Sequence, residues 1–305
     1  MLEDPQAEAL RWALRQIEHE VGPVSGGRER IAGTAPGWRL KLHVAGVGPV
    51  FAKIADGGDS SRLAIGAEAA LLTTVRHRHM PHVVAADPTS DVPWMLLTDM
   101  SDAQWPPPWP DEAGLNRLWK AMRRISRVQP PGWLTQPSDI DPWQTLLARD
   151  DEGAPDDNWW REHAEALAAA ATVTIAGTDL VHGDLGSGNL CWDSGRPVLV
   201  DWSDAYVGNA EMDMVTVAID IAHSDGRRVQ PPVANLPAWL AKIAGLLVSA
   251  SLRPAWPGLG GQQVRDEQQA LARTAVRWAV ETQPAPHSPN PLHSPNSPQS
   301  PNSTH

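Results

Sequence analysis

Three consecutive prolines inside AQWPPPWP, residues 103–110, divide the chain more firmly than any other feature. Proline has no amide hydrogen and a fixed φ, so a cluster this dense admits neither helix nor central strand. The segment reads as a connector, and the two sides of it carry different periodicities. Before it, apolar residues alternate in WRLKLHV and VFAKIA, set between the breakers TAPG and AGVGP, which predicts strands and Gly/Pro turns over 31–55. HVVAAD and WMLLTDM extend the pattern to about Met100. Leu10, Leu14, Ile17 and Val21 predict a helix over 7–21 ahead of these strands, and a second helix over about 61–75 falls among them. After the connector, helical spacing takes over at about 111–128, 158–171, 210–222, 236–252 and 262–281. The expected organisation is an α+β chain with a small sheet lobe over 1–100 and a mainly helical lobe over 101–282. The Ser-Pro-Asn-rich tail over 283–305 offers almost nothing to bury and is expected to be disordered.

Composition narrows the function classes. Hydrophobic residues make up 42% of 305, enough for a substantial core, and no run approaches the length of a membrane span. A single cysteine, Cys191, rules out an internal disulfide framework and reads as a small buried apolar group. The acidic start MLEDPQAEAL lacks the basic region of a secretory signal, so a cytoplasmic protein is expected. A formal charge of -11 repels nucleic acid and anionic membrane and favours cationic ligands. Fifteen tryptophans, against one tyrosine and one phenylalanine, are expected mostly in the core.

The stretch LVHGDLGSGNLCWDSGRPVLVDW, residues 180–202, concentrates the chemistry. NLCW and RPVLV flank Asp-Ser-Gly, a turn composition, and so form a hairpin centred near Gly195. Asn189 and Asp201 lie six residues either side of that centre and meet at the open end. An amide oxygen and a carboxylate at close quarters suit a hard cation such as Mg2+, which also takes phosphate oxygens. Asp184 sits on an approach made pliable by Gly183, Gly186 and Gly188, where it can accept a proton from a substrate hydroxyl. The competing reading is a solvated surface hairpin. His182, just before the loop, is expected to be structural.

At these residues the sequence resembles the aminoglycoside phosphotransferase family of the kinase-like fold, which includes choline, homoserine and macrolide kinases. The family pattern His-Gly-Asp-x4-Asn, an apolar strand, then Asp-Phe/Trp stands here as VHGDLGSGN and VLVDW. The resemblance implies a two-lobed protein-kinase-like fold, ATP or GTP as phosphoryl donor with Mg2+, Asp184 as the catalytic aspartate, and Asn189 and Asp201 as metal ligands. Many relatives carry His-Pro where this chain has Gly186-Ser187, which makes the loop less stiff.

A kinase-like site also needs a strand lysine and a helix glutamate. In VFAKIA alternation puts Lys53 on one face with Phe51 and Ala55, its ammonium reaching outward. In the following helix Glu68 falls in the apolar stripe Ile65, Leu72, Val75. A buried carboxylate requires a partner, so a Lys53–Glu68 ion pair is expected. The resemblance further implies nucleotide contacts from the backbone of Asp99 and Ser101 in MLLTDMSD, a phosphate-covering turn near 33–37, and Asp213 as a brace for the catalytic loop.

The expected reaction is transfer of the terminal phosphoryl group to a hydroxyl of a small, cationic acceptor. An aminoglycoside-type antibiotic is favoured by the acidic segment ARDDEGAPDD, residues 148–157, with Asp220 and Asp225, acids which could equally serve solubility. Choline, homoserine or a sugar are the alternative acceptors. A catalytically dead nucleotide-binding scaffold and a metal-dependent hydrolase using His182, Asp184 and Asp201 are the competing classes. The cluster RHRHMPH, with His77, His79 and His82, lacks the carboxylate or cysteine that a metal site there would want.

Overall fold

The computed structural model describes residues 5–30, 37–138, 141–149, 158–255 and 261–283. The turn expected at 33–37 lies outside these except for Gly37, as do the acidic residues 150–157 and all but the first residue of the tail.

Helix α1 (Pro5–Glu20) leads into a five-stranded antiparallel sheet of order β1-β2-β3-β5-β4. Its strands are β1 (Val24–Arg30), β2 (Trp38–Val44), β3 (Gly48–Ile54), β4 (Val83–Asp87) and β5 (Trp94–Thr98), with α2 (Asp59–Thr74) inserted after β3. Strand alternation sorts side chains to two faces. Leu40, Leu42, Val44, Val50, Ala52, Ile54, Trp94 and Leu96 pack with Ala13, Leu14 and Ile17 of α1. The opposite face carries Met95 and Leu97 toward Ala69 and Leu72 of α2. Fully burying a side chain such as Ile17 or Leu96 stabilises the fold by about 1.5–3 kcal/mol. Strand β1 was not expected: VSGGRER has one apolar residue and no alternation, and it joins as an edge strand through backbone pairing with β2.

The connector does not float between the lobes. The amide of Gln104 donates to the Trp192 carbonyl (3.0 Å) and the Trp192 amide returns a bond to Gln104 (2.8 Å). Trp109 meets Trp192 edge-on at 6.2 Å, and its Nε1 donates to Ser224 Oγ at 2.9 Å.

Beyond it come α3 (Glu112–Ser126), α4 (Pro142–Leu147), α5 (Arg161–Ala170), β6 (Asp179–Val181), the hairpin β7 (Leu190–Asp193) and β8 (Arg196–Leu199), β9 (Tyr206–Gly208), α6 (Glu211–Ser224), α7 (Leu236–Ser251) and α8 (Gly261–Thr282). The short α4 and the β6–β9 pair were not anticipated. Asp141 caps α4, accepting from the amides of Trp143 (3.0 Å) and Gln144 (3.2 Å). One core lies under the sheet lobe, where α2, β5, α3, the hairpin and α6 converge; another fills the space among α4, α5, α7 and α8. Nine tryptophans among the described residues are buried, so packing explains most of the unusual usage. No helix among the described residues is long and apolar enough to cross a membrane.

The histidine-rich turn after α2 anchors the hairpin. His79 is buried, its Nδ1 lies 2.8 Å from the Pro197 carbonyl, and its own carbonyl accepts from the Leu199 amide at 2.9 Å. Among the described residues no group of three or more His, Cys, Asp or Glu could hold a metal. Cys191 is buried in β7, where burial pushes its thiol pKa up to about 12.

Candidate active site

Hairpin geometry decides where Asp201 goes. Ser194 (φ +50°) and Gly195 (φ +77°) both occupy the left-handed region, the two-residue reversal that matches strand twist. Asp193 pairs with Arg196 and Leu190 with Leu199, so the centre falls between 194 and 195 rather than on Gly195. Val200 therefore stands opposite Asn189 and donates its amide to the Asn189 carbonyl at 3.0 Å. Asp201 lies one residue further on, at φ +63°. Few non-glycine residues adopt this conformation, and aspartate is among those that tolerate it.

At that bend Asp201 Oδ1 lies 2.8 Å from Lys53 Nζ, and Lys53 Nζ lies 2.6 Å from Glu68 Oε2. Lys53 is on the α2 face of β3, as alternation predicts, but its ammonium is buried between the lobes instead of reaching outward: Lys53 is 4% exposed and Glu68 1%. The other Glu68 oxygen accepts from the Trp202 amide at 3.1 Å, so both of its carboxylate oxygens are engaged. Burial pushes the Glu68 pKa up, and the adjoining Lys53 pulls against it. Burial also works to raise Asp201, but the charge and hydrogen bond of Lys53, with the charge of Arg39, together hold this carboxyl below the ordinary value.

The loop from His182 to Asn189 is gripped along its backbone. Asp213, at the start of α6, accepts from the amides of His182 (2.7 Å) and Gly183 (3.1 Å). Burial raises the Asp213 pKa to about 6 against the pull of these two donors. Gly183 has φ +86°, and a Cβ there would sit 2.4 Å from the Asp204 carbonyl, so only glycine fits. His182 is wholly buried, with Nε2 2.9 Å from the Val200 carbonyl and Nδ1 3.4 Å from the Asp184 amide. Its ring lies 4.6 Å from that of Trp202, and burial lowers its pKa to about 4. Both ring nitrogens are thus engaged, which leaves the hydrolase reading without its histidine.

Asp184 follows on this loop. Asn189 Nδ2 donates to its backbone oxygen (2.7 Å) and to its Oδ2 (3.1 Å). Burial raises the Asp184 pKa, and the charges of Asp204 and Asp201 raise it further. Neither Asp184 nor Asp204 has a basic partner among the described residues.

One cavity of about 640 Å³ unites these groups, lined by Lys53, Asp99, Ser101, Asp184, Asn189 and Asp201, with apolar walls from Phe51, Leu97, Met100 and Trp105. Asp99 Oδ1 accepts from both the amide (3.0 Å) and the hydroxyl (2.5 Å) of Ser101, so the two side chains are occupied with each other. The donor chemistry suits a hard cation. Among the described residues no hydrogen bond reaches Asn189 Oδ1 or Asp201 Oδ2, and Arg39 lies 4.0 Å from the latter.

Three residues near the site were not anticipated. Arg39 lines the cavity and pairs across the ladder with Lys53, a neighbour that strand register would have given. Asp204, three residues after Asp201, carries no sequence signal of its own. Asp220, expected either to line an acidic acceptor wall or to serve solubility, is instead buried and accepts a hydrogen bond from the Ser187 amide. Asp225 is ion-paired with Arg227, so its charge is already compensated.

Similar structures share this architecture at low identity. APH(2")-IIia, solved in complex with GDP and kanamycin, is 15% identical over 89% of this chain and 98% of its own, with a TM-score of 0.58. The macrolide 2'-phosphotransferase MphH from Brachybacterium faecium is 16% identical over 92% and 100%, TM-score 0.56. The choline kinase LicA from Streptococcus pneumoniae is 13% identical over 90% and 98%, TM-score 0.54. No curated protein sequence matches the chain. Residues 38–235, well over half of the chain, match the phosphotransferase enzyme family, APH, and the match spans every residue of the cavity named above. The chain therefore belongs to the phosphotransferase enzyme family and is a small-molecule kinase with the two-lobed, protein-kinase-like fold.

Proposed function

We propose that this protein transfers the γ-phosphoryl group of ATP or GTP to a hydroxyl of a small cationic molecule, with an aminoglycoside-type compound as the favoured acceptor. The observation that carries the reading is the convergence of Lys53, Asp184, Asn189 and Asp201 on one cavity, with Lys53 held between Glu68 and Asp201. Lys53 supplies positive charge for the phosphates, and Glu68 fixes its position. Asp99 and Ser101 line the cavity wall, and their backbone groups would serve as contacts for the nucleotide base. Asn189 Oδ1 and Asp201 Oδ2 are the oxygens that would hold Mg2+, whose charge, when bound, offsets that of the phosphoryl oxygens.

Asp184 orients the acceptor hydroxyl and takes its proton as the new oxygen–phosphorus bond forms and the bond from the γ-phosphorus to the β–γ bridging oxygen breaks, releasing ADP or GDP. Its raised pKa suits this, since a more basic carboxylate is a better proton acceptor provided it is ionised. Positioning and charge neutralisation carry the rest of the rate. The preference for a cation rests on Asp184 and Asp204, whose charges act on each other and which have no basic partner among the described residues, in a chain of charge -11.

The test is a mass-spectrometric screen with ATP or GTP and Mg2+ over aminoglycosides, macrolides, choline, homoserine and sugars, scored for gain of one phosphoryl group. Transfer to cationic acceptors supports the reading in full. Transfer only to neutral sugars would remove the charge argument, and hydrolysis of phosphoesters without nucleotide would sink the proposal altogether.

A further inference from the structure

Helix α6 grips the 182–189 loop twice. Asp213 takes the amides of His182 and Gly183, ahead of Asp184, and Asp220 takes the amide of Ser187, behind it. The two acids are seven residues apart, two helical turns or roughly 10 Å along the axis, and so share one face. Asp184 is therefore suspended between two fixed points on a single rigid element.

The second grip depends on the two residues by which this chain departs from the common His-Pro pattern. Ser187 opens a short 3-10 turn, Ser187–Asn189, and it has the amide hydrogen that a proline would lack. Gly186 is extended (φ -160°, ψ -169°), and a Cβ on it would lie 3.1 Å from Asp220 Oδ2, tighter than ordinary packing. A side chain at 186 would crowd the carboxylate, and a proline at 187 would leave it without its donor. We propose that Asp220 is a positioning residue for Asp184 and Asn189, supplying through a hydrogen bond from α6 the stiffness that proline supplies elsewhere, with Gly186 and Ser187 as its required counterparts.

The turnover part of this proposal rests on the phosphoryl-transfer reading; the clamp itself does not. Amide hydrogen exchange on the full chain isolates the clamp: Asp220→Ala should speed exchange at Ser187 by roughly tenfold or more while core amides of α6 and α7 keep their protection. An unchanged Ser187 rate in a folded variant overturns the proposal whatever the reaction proves to be.

Where transfer is detected, Asp220→Ala should lower kcat by about ten- to a hundredfold, with the KM for nucleotide moving less than about threefold. Asp220→Asn, which keeps an acceptor oxygen, should lose less. Ser187→Pro alone should also lose turnover, because it strands a buried carboxylate. The double variant Ser187→Pro/Asp220→Ala should outperform Asp220→Ala, since Gly186 is already in the extended conformation that a following proline demands. A general loss of stability would not show this sign reversal. A double variant no better than Asp220→Ala, or an Asp220→Ala turnover within about twofold of wild type, refutes the positioning role.

Discussion

Acidification offers a way to test whether His182 is the neutral crosspiece that its surroundings describe. Its ring is buried, lies against Trp202 and bonds the Val200 carbonyl, and its pKa falls from 6.5 to about 4. The unfolded chain takes up a proton near pH 6.5, whereas the native protein refuses it until about pH 4. Across that window the unfolded state binds more protons, so stability falls as pH falls, by about 3 kcal/mol in total. Between pH 7.5 and 5.0 the share attributable to His182 is about 2 kcal/mol. Asp213 works in the opposite direction. Its pKa rises from 3.8 to about 6, so the native protein keeps a proton that the unfolded chain releases, and its contribution weakens as pH rises through that range. The two partly cancel in the wild-type curve, which would look nearly flat if only they titrated. His182→Gln, which can still donate to Val200 but does not titrate, separates them. Urea denaturation of both proteins at pH 7.5 and 5.0, without metal or nucleotide, should give a wild-type loss exceeding that of the variant by about 2 kcal/mol. A difference below about 0.5 kcal/mol, or a native His182 imidazole titrating above pH 6 by NMR, would refute the reasoning.

Three further outcomes follow from the site. Asp184→Ala should leave nucleotide affinity nearly unchanged and reduce turnover by roughly a hundredfold or more, checked by isothermal titration and steady-state kinetics. In the wild type, the raised Asp184 pKa places the acid limb of kcat above the ordinary carboxylate range: turnover falls as the carboxylate protonates, and an acid limb near pH 3.8 would contradict its role as base. Glu68→Ala should lower stability by about 3–5 kcal/mol in chemical denaturation, because it leaves Lys53 with only Asp201 and orphans the Trp202 amide.

Much of the site could be read from residue types and spacing, because Lys53 declares itself by strand alternation and Glu68 by an acid in an apolar helical stripe. The hairpin composition likewise brought Asn189 and Asp201 to one end. What escaped depends on geometry that composition does not encode. A half-residue shift in the hairpin centre and a left-handed aspartate direct Asp201 onto Lys53, and no pattern in VLVDW announces a positive φ. Asp220 was assigned to the acceptor wall or to solubility, although its seven-residue spacing from Asp213 put both on one helix face. Strand β1 was invisible because edge pairing needs only backbone groups, and VSGGRER offers little else.

The pairing of Gln104 with Trp192 also sets how the lobes can move. From Gln104 onward the connector is fastened to the hairpin of the lower lobe, while Thr98 still belongs to the upper sheet. Only five residues, 99–103, therefore separate the sheet from the fastened part of the connector, and Asp99 and Ser101 are among them. The apparent long linker is thus a short axle set against the rear of the cavity. On the cavity side the two lobes are joined again, by Lys53 with Asp201 and by Glu68 with the Trp202 amide.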